Sequence, residues 1–145
     1  MNNFLFVCTG NTCRSPMAES VLRHYANETH SVKSAGVFAM PGESASKHAI
    51  QALQKKGITI DHSSKQINDE LLDWSSVILT MTGNHKQFLL TRYPQHKEKL
   101  YTLYEYVNGE NKDISDPYGG SLSTYENTLN ELEELILKII QKNEK

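Results

Sequence analysis

Apolar positions recur along this chain with two spacings. Short unbroken runs, Phe4-Leu5-Phe6-Val7 and Val77-Ile78-Leu79, have the continuous apolar character of strands covered on both faces. They predict strands over 3–8 and 77–81, with shorter ones over 31–35 and 100–103. Elsewhere the spacing is helical. Met17, Val21, Leu22 and Tyr25 share one face of a helix from 15 to about 27. Ala45, Ala49, Ala52 and Leu53 share another, which closes at Lys55-Lys56-Gly57, a cationic last turn before a C′ glycine. Asn68 followed by Asp69 and Glu70 opens a short helix reaching about 73, its acids facing the positive helix end. Asn84 with Gln87 forms a capping-box pattern ahead of Phe88, Leu89 and Leu90, in a helix that stops before Pro94. Ser123 with Glu126 repeats the pattern, and Leu129, Leu132, Ile136, Ile139 and Ile140 then trace one side of a long terminal helix. Residues 36–44 and 104–122, punctuated by Gly and Pro, read as loops. Strands alternating with helices predict one α/β domain over 1–145, an open parallel sheet with right-handed crossovers and helices on both faces.

Ligands of such sheets sit beyond the carboxyl ends of the strands. The first strand ends at Cys8 of Cys8-Thr9-Gly10-Asn11-Thr12-Cys13-Arg14-Ser15. Gly10 and Asn11 tolerate positive φ, so the turn curls successive N–H groups inward, and Pro16 marks the helix start that adds its own partial positive charge. Arg14 contributes a planar fork suited to bidentate capture of a tetrahedral oxyanion. The expectation is a phosphate cradle made by Cys8, Thr9, Gly10, Asn11, Thr12, Cys13 and Arg14, with Cys8 as the nucleophile at its floor. Helix N-termini and neighbouring cations draw a thiol from about 8.5 down to roughly 3.5–7.5, so Cys8 is expected to ionise without a base. Ser15, at the expected N-cap, carries a hydroxyl that can turn to the helix amides or back to the Cys8 sulfur. Transfer through a phosphocysteine also needs a proton for the leaving group and later a base for water, and one carboxyl can do both in turn. The loop ahead of the terminal helix offers Asp113 and Asp116, between which residue type alone does not choose.

The stretch Val7-Cys8-Thr9-Gly10-Asn11-Thr12-Cys13-Arg14-Ser15-Pro16-Met17-Ala18-Glu19, paired with Asp116-Pro117-Tyr118, resembles the low-molecular-weight protein tyrosine phosphatase family over essentially the whole chain. The resemblance implies strand order 2-1-3-4 and makes Asp116 the general acid and base beside Cys8 and Arg14. It implies that Asn11 holds the loop in its turn while Ser15, Ser34 and His62 support it. Tyr118 becomes a wall of the substrate slot. Phe38 and Met40 fall in the loop where relatives place specificity residues, although satellites of the core would look the same. At Thr12, many tyrosine-specific members carry isoleucine, and the threonine resembles the bacterial protein-arginine phosphatase branch. Gly119 stands where tyrosine-directed relatives commonly have a second aromatic. Flanking rings grip a phenol, whereas a carboxylate and a single ring suffice for a guanidinium. The expected activity is therefore hydrolysis of phosphoarginine on proteins, with Thr12 and Tyr118 setting specificity and phosphotyrosine as the alternative substrate.

Charge narrows the partners. With 15 Lys+Arg against 17 Asp+Glu there is no general basic field for nucleic acid and no polybasic membrane patch, so any anion site is local. The first apolar run is far shorter than a signal or membrane segment and no charged region precedes it, which leads to a cytoplasmic location; the expected partners are phosphorylated proteins, and the sequence leaves the oligomeric state open. Cys8 and Cys13, five residues apart, would staple almost nothing as a structural disulfide, and no further ligands complete a zinc site. No metal and no cofactor is expected. Cys13 can bridge reversibly to an oxidised Cys8, as the resemblance also implies, or can be a small packing residue. Arsenate reduction would need more cysteines to relay a disulfide, and a non-catalytic phosphoprotein-binding module would need neither nucleophile nor acid.

Overall fold

The computed structural model describes residues 2–26 and 30–143. Strand β1 (Asn3–Cys8) pairs in parallel with β2 (Ser31–Gly36) on one side and β3 (Val77–Thr80) on the other, and β4 (Leu100–Thr102) extends beyond β3, giving the order 2-1-3-4. β1 takes the central place because it is apolar on both faces. Phe4, Phe6 and Cys8 enter one layer, Leu5 and Val7 the other, and all are buried. On the Phe4 face lie α1 (Arg14–Ala26), α2 (Lys47–Lys55) and α6 (Leu122–Asn143), contributing Met17, Leu22, Leu53, Leu129 and Ile136 to one core. The opposite face is covered by α3 (Asp69–Trp74) and α4 (Gly83–Arg92), through Leu71, Leu72 and Leu89. Among the described residues no helix is long and apolar enough to cross a membrane.

Several helix ends differ from the sequence expectation. The 104–122 segment is not wholly loop, because α5 (Leu103–Asn108) opens it. Thr102 and Glu105 form a reciprocal capping box there, and Gly109 closes the helix at φ 71°. Six residues are too few to show a period, so only the caps announce this helix. α4 begins at Thr82, whose hydroxyl accepts from the His85 N–H, and Asn84 lies inside the helix. α6 likewise starts two residues early, with Ser121 accepting from the Thr124 N–H and Ser123 already helical. α2 is capped by Ser46, which places Ala45 ahead of it. The expected end of α1 at about 27 lies outside the described residues.

Gly36, at the carboxyl end of β2, decides how closely the Cys8–Arg14 loop can sit on the sheet. A Cβ there would fall 2.4 Å from the Thr9 carbonyl oxygen and 3.0 Å from the Asn11 nitrogen. The next residues complete the seam, since the N–H groups of Val37 and Phe38 donate to the carbonyls of Cys8 and Thr9, each at 2.9 Å. Backbone on backbone at that range leaves no flexible atom to give way. Gly36→Ala is therefore expected to cost roughly 1–3 kcal/mol, as overpacking does. The measurement is urea unfolding, with a lower midpoint at unchanged slope; a wild-type midpoint would contradict the close approach.

Candidate active site

The turn after β1 is held by a buried side chain. Asn11 is the only non-glycine residue at positive φ among the described residues, at 58°, and its side chain is fully buried. Its Oδ1 accepts from the Lys65 N–H at 2.9 Å, which identifies Nδ2 as the amide donor on the other side. That nitrogen donates to Ser15 Oγ at 2.8 Å and to Ser34 Oγ at 2.9 Å. Ser34 passes its own proton to Glu19 Oε1 at 2.5 Å. His62 Nε2 donates to the Asn11 carbonyl at 2.7 Å, locking the turn from the outside. Ser15 Oγ, which accepts from Asn11, lies 2.8 Å from the Cys8 sulfur, and once that sulfur is an anion the hydroxyl is the donor between them. α1 starts at Arg14, so Ser15 lies within the first helical turn rather than at the N-cap, and of its two options it takes the sulfur.

Above the sulfur is a cavity of about 260 Å³, walled by Thr9, Gly10, Thr12, Cys13 and Arg14 on the loop side and by Asp116 and Tyr118 opposite. Cys8 is 3% exposed at its floor. Arg14 is buried and anchored: Nη1 donates to the Ile114 carbonyl at 3.0 Å and Nη2 lies 3.7 Å from Asp116 Oδ2. The other Asp116 oxygen accepts from the Tyr118 N–H at 3.1 Å. The chain then turns tightly, Gly120 N–H to Pro117 O at 2.8 Å, with Gly119 at φ 79° in the position where such a turn favours glycine. Tyr118 stands 81% exposed at the mouth. Asp113 is employed elsewhere, its Oδ1 accepting from the Gly83 N–H at the start of α4 at 2.8 Å, and it does not line this cavity. Only Asp116, of the two carboxyls the loop offered, faces the sulfur's cavity.

Burial pushes the Cys8 thiol above its ordinary value. Against this work the Ser15 hydroxyl, the N–H groups of Ser15 and Asn11, and Arg14, in that order. The expectation of a thiol held below its ordinary value is thus corrected, because the sulfur lies deeper than loop spacing reveals and desolvation of the anion outweighs the donors.

Sequence reasoning missed three neighbours. Glu19 terminates the Asn11–Ser34 chain and also pairs with Arg23 at 2.7 Å. Tyr125, from α6, places its hydroxyl 3.3 Å from the Cys13 sulfur, which also contacts Ser46 Oγ at 3.6 Å, and burial raises that phenol to about 12. His85 Nε2 lies 2.8 Å from Thr9 Oγ1. Tyr125 and His85 carry no local signal, since each reaches the loop from another helix, and Glu19 meets Ser34 of β2 from α1 itself. Phe38 and Met40 are exposed, so they are not satellites of the core; the Phe38 ring meets Phe88 edge to face at 5.2 Å. Cys8 and Cys13 are both free thiols, and among the described residues no group of three or more His, Cys, Asp or Glu could hold a metal ion.

Ser15→Ala removes the largest contribution that lowers the Cys8 thiol, so its folded-state pKa is expected to rise. The pH midpoint for alkylation of Cys8 by iodoacetamide, followed on its peptide by mass spectrometry to separate it from Cys13, should move upward. An unchanged or lower midpoint would remove the Ser15 hydroxyl from the account.

Residues 3–145 match the family described as low molecular weight phosphotyrosine protein phosphatase. A protein-arginine-phosphatase of Geobacillus stearothermophilus is 46% identical over 138 residues, covering 95% of this chain and 93% of the relative. The low molecular weight protein-tyrosine-phosphatase PtpB of Staphylococcus haemolyticus is 42% identical over 134 residues, covering 92% and 94%. A solved structure of a YwlE arginine phosphatase mutant with a phosphorylated active site serine superposes with a TM-score of 0.96 at 41% identity, covering 99% of this chain and 96% of that one. Full-length matches of this strength, over a sheet of the order found here, mean that the chain belongs to the low molecular weight phosphotyrosine protein phosphatase family.

Proposed function

We propose that this protein hydrolyses phosphoarginine on proteins through a phosphocysteine intermediate. The observation that carries the choice of substrate is the make-up of the slot: Thr12 and Asp116 are polar walls, Tyr118 is the only ring lining it among the described residues, and Gly119 follows in a turn that favours glycine. A guanidinium suits such a slot, pairing with the carboxylate and stacking on one ring. The name of the Geobacillus relative points the same way. In this reading the loop N–H groups and Arg14 hold the phosphoryl oxygens, and Cys8, ionised beforehand with its proton given up to water, attacks phosphorus as the thiolate in line with the leaving nitrogen. As the P–N bond breaks, Asp116 gives its proton to that nitrogen and arginine departs. Asp116, now a carboxylate, takes a proton from water as the water cleaves the S–P bond, which frees phosphate and returns the Cys8 thiolate and the protonated Asp116. Asn11, Ser15, Ser34 and His62 hold the loop in shape for both steps, and Cys13 is the partner that can trap an oxidised Cys8 as a disulfide. The cytoplasm, where thiols stay reduced, suits this chemistry.

The PtpB relative and the exposed Tyr118 ring favour phosphotyrosine as the second reading. Comparing kcat/KM on peptides that differ only in the phosphorylated residue decides between them: phosphoarginine should be preferred, and a preference for phosphotyrosine would reverse the reading. Thr12→Ile fills the slot with apolar carbon and removes a hydroxyl, so it is expected to lower the phosphoarginine to phosphotyrosine ratio by about 10-fold or more. An unchanged ratio would take Thr12 out of the explanation. Asp116→Asn should slow turnover by roughly 10² to 10⁴, the range for losing a general acid. Near-normal rates would mean the proton comes from another group.

A further inference from the structure

The slot has one more polar wall, and it is held from outside the cradle. Thr9 lines the cavity above Cys8, and its Oγ1 lies 2.8 Å from His85 Nε2. The Thr9 backbone is secured separately, its carbonyl accepting from the Phe38 N–H at 2.9 Å where it packs over Gly36. The bond to His85 therefore governs where the hydroxyl points, not the course of the loop. His85 is itself rigidly placed: its N–H donates to Thr82 Oγ1 at 3.1 Å in the first turn of α4, and the residue is 7% exposed.

The His85 ring suits a neutral imidazole. Its Nδ1 is buried and makes no hydrogen bond, so a second N–H there would be stranded. Burial and the nearby Arg14 hold the ring down to about 4, against Asp113 and Asp116, which act in the other direction. A cation at this place would repel a guanidinium, whereas a neutral ring does not. With Nδ1 unpartnered the ring proton belongs on Nε2, which donates to Thr9 Oγ1 and leaves that oxygen one lone pair to spare. A guanidinium presents only N–H donors and needs such acceptors. A phenol ring offers none along its edge.

We infer that Thr9 is a specificity-determining residue that accepts an N–H of the guanidinium leaving group, and that His85 is its positioning residue, aiming the hydroxyl at the slot. The inference rests on phosphoarginine as the substrate. It predicts that the two residues act as one unit and that the effect falls on substrate choice rather than on the cradle.

The test uses the full chain and two peptides differing only in phosphoarginine or phosphotyrosine. The ratio of their kcat/KM values is measured for wild type, Thr9→Val, His85→Leu, His85→Gln and the Thr9→Val/His85→Leu double variant. Thr9→Val keeps the shape of an exposed side chain, so it remains informative if His85→Leu fails to fold. The ratio is expected to fall about 10-fold in Thr9→Val and in His85→Leu, no further in the double variant, and to stay near wild type in His85→Gln, whose amide reaches the same hydroxyl. An unchanged ratio in Thr9→Val, losses that add in the double variant, or equal loss on both peptides in His85→Leu would each overturn the inference. Failure of the underlying reading is visible separately, as a wild-type preference for phosphotyrosine before any variant is compared.

Discussion

A sulfur at the end of a buried strand, ringed by donors that favour its anion, is the constraint on which the rest of this structure depends. Placing it there requires the chain to reverse direction within the residues between β1 and α1 while keeping its N–H groups turned inward. That conformation forces Asn11 into the left-handed region, which costs an ordinary residue about 1–2 kcal/mol. The cost is offset locally. The buried Asn11 amide uses both ends, taking the Lys65 N–H on one side and donating to two hydroxyls on the other, while its carbonyl is capped by His62. The same amide thus props the turn and holds the Ser15 hydroxyl 2.8 Å from the Cys8 sulfur.

Two distant parts of the chain are joined by one guanidinium. Arg14 begins α1 yet is anchored on the Ile114 carbonyl, two residues before Asp116. Any anion gripped by Arg14 is therefore registered against the Asp116 carboxyl, 3.7 Å from the guanidinium. Asp113 helps from the same loop by satisfying the Gly83 N–H of α4, which fixes the loop without entering the cavity. Burial supplies the opposing force. It penalises the thiolate, and the ring of donors sets how far that penalty is offset, so the nucleophile's readiness is a balance of depth against hydrogen bonds rather than a property of the motif.

Much of the site was legible in the sequence because its parts are local. A cysteine ending an apolar run, Gly and Asn in the turn, and an arginine at the following helix start encode the cradle within a single stretch, and every residue lining the cavity had been named from that stretch or from Asp116-Pro117-Tyr118. What depended on the third dimension was not legible. Asp113 and Asp116 separate only once α4 claims one of them. His85 and Tyr125 reach the loop from other helices, and the depth of the sulfur follows from packing of α1 against β1, with α6 laid over α1. Short elements failed for a different reason: α5 has too few residues for a period, and the true caps at Thr82 and Ser121 lie within two residues of the plausible ones at Asn84 and Ser123. The sheet order rested on resemblance, because alternation of strands and helices does not by itself order them.

The central claim is that the phosphoryl group passes to the Cys8 sulfur before it reaches water. The most direct measurement is a rapid acid quench of the enzyme with a substrate carrying a radiolabelled phosphoryl group, followed by mapping of the label on the peptides. The account predicts label on the peptide containing Cys8 within the first turnover and none on it in Cys8→Ala. Sustained turnover with no label on that peptide at any time point would contradict it.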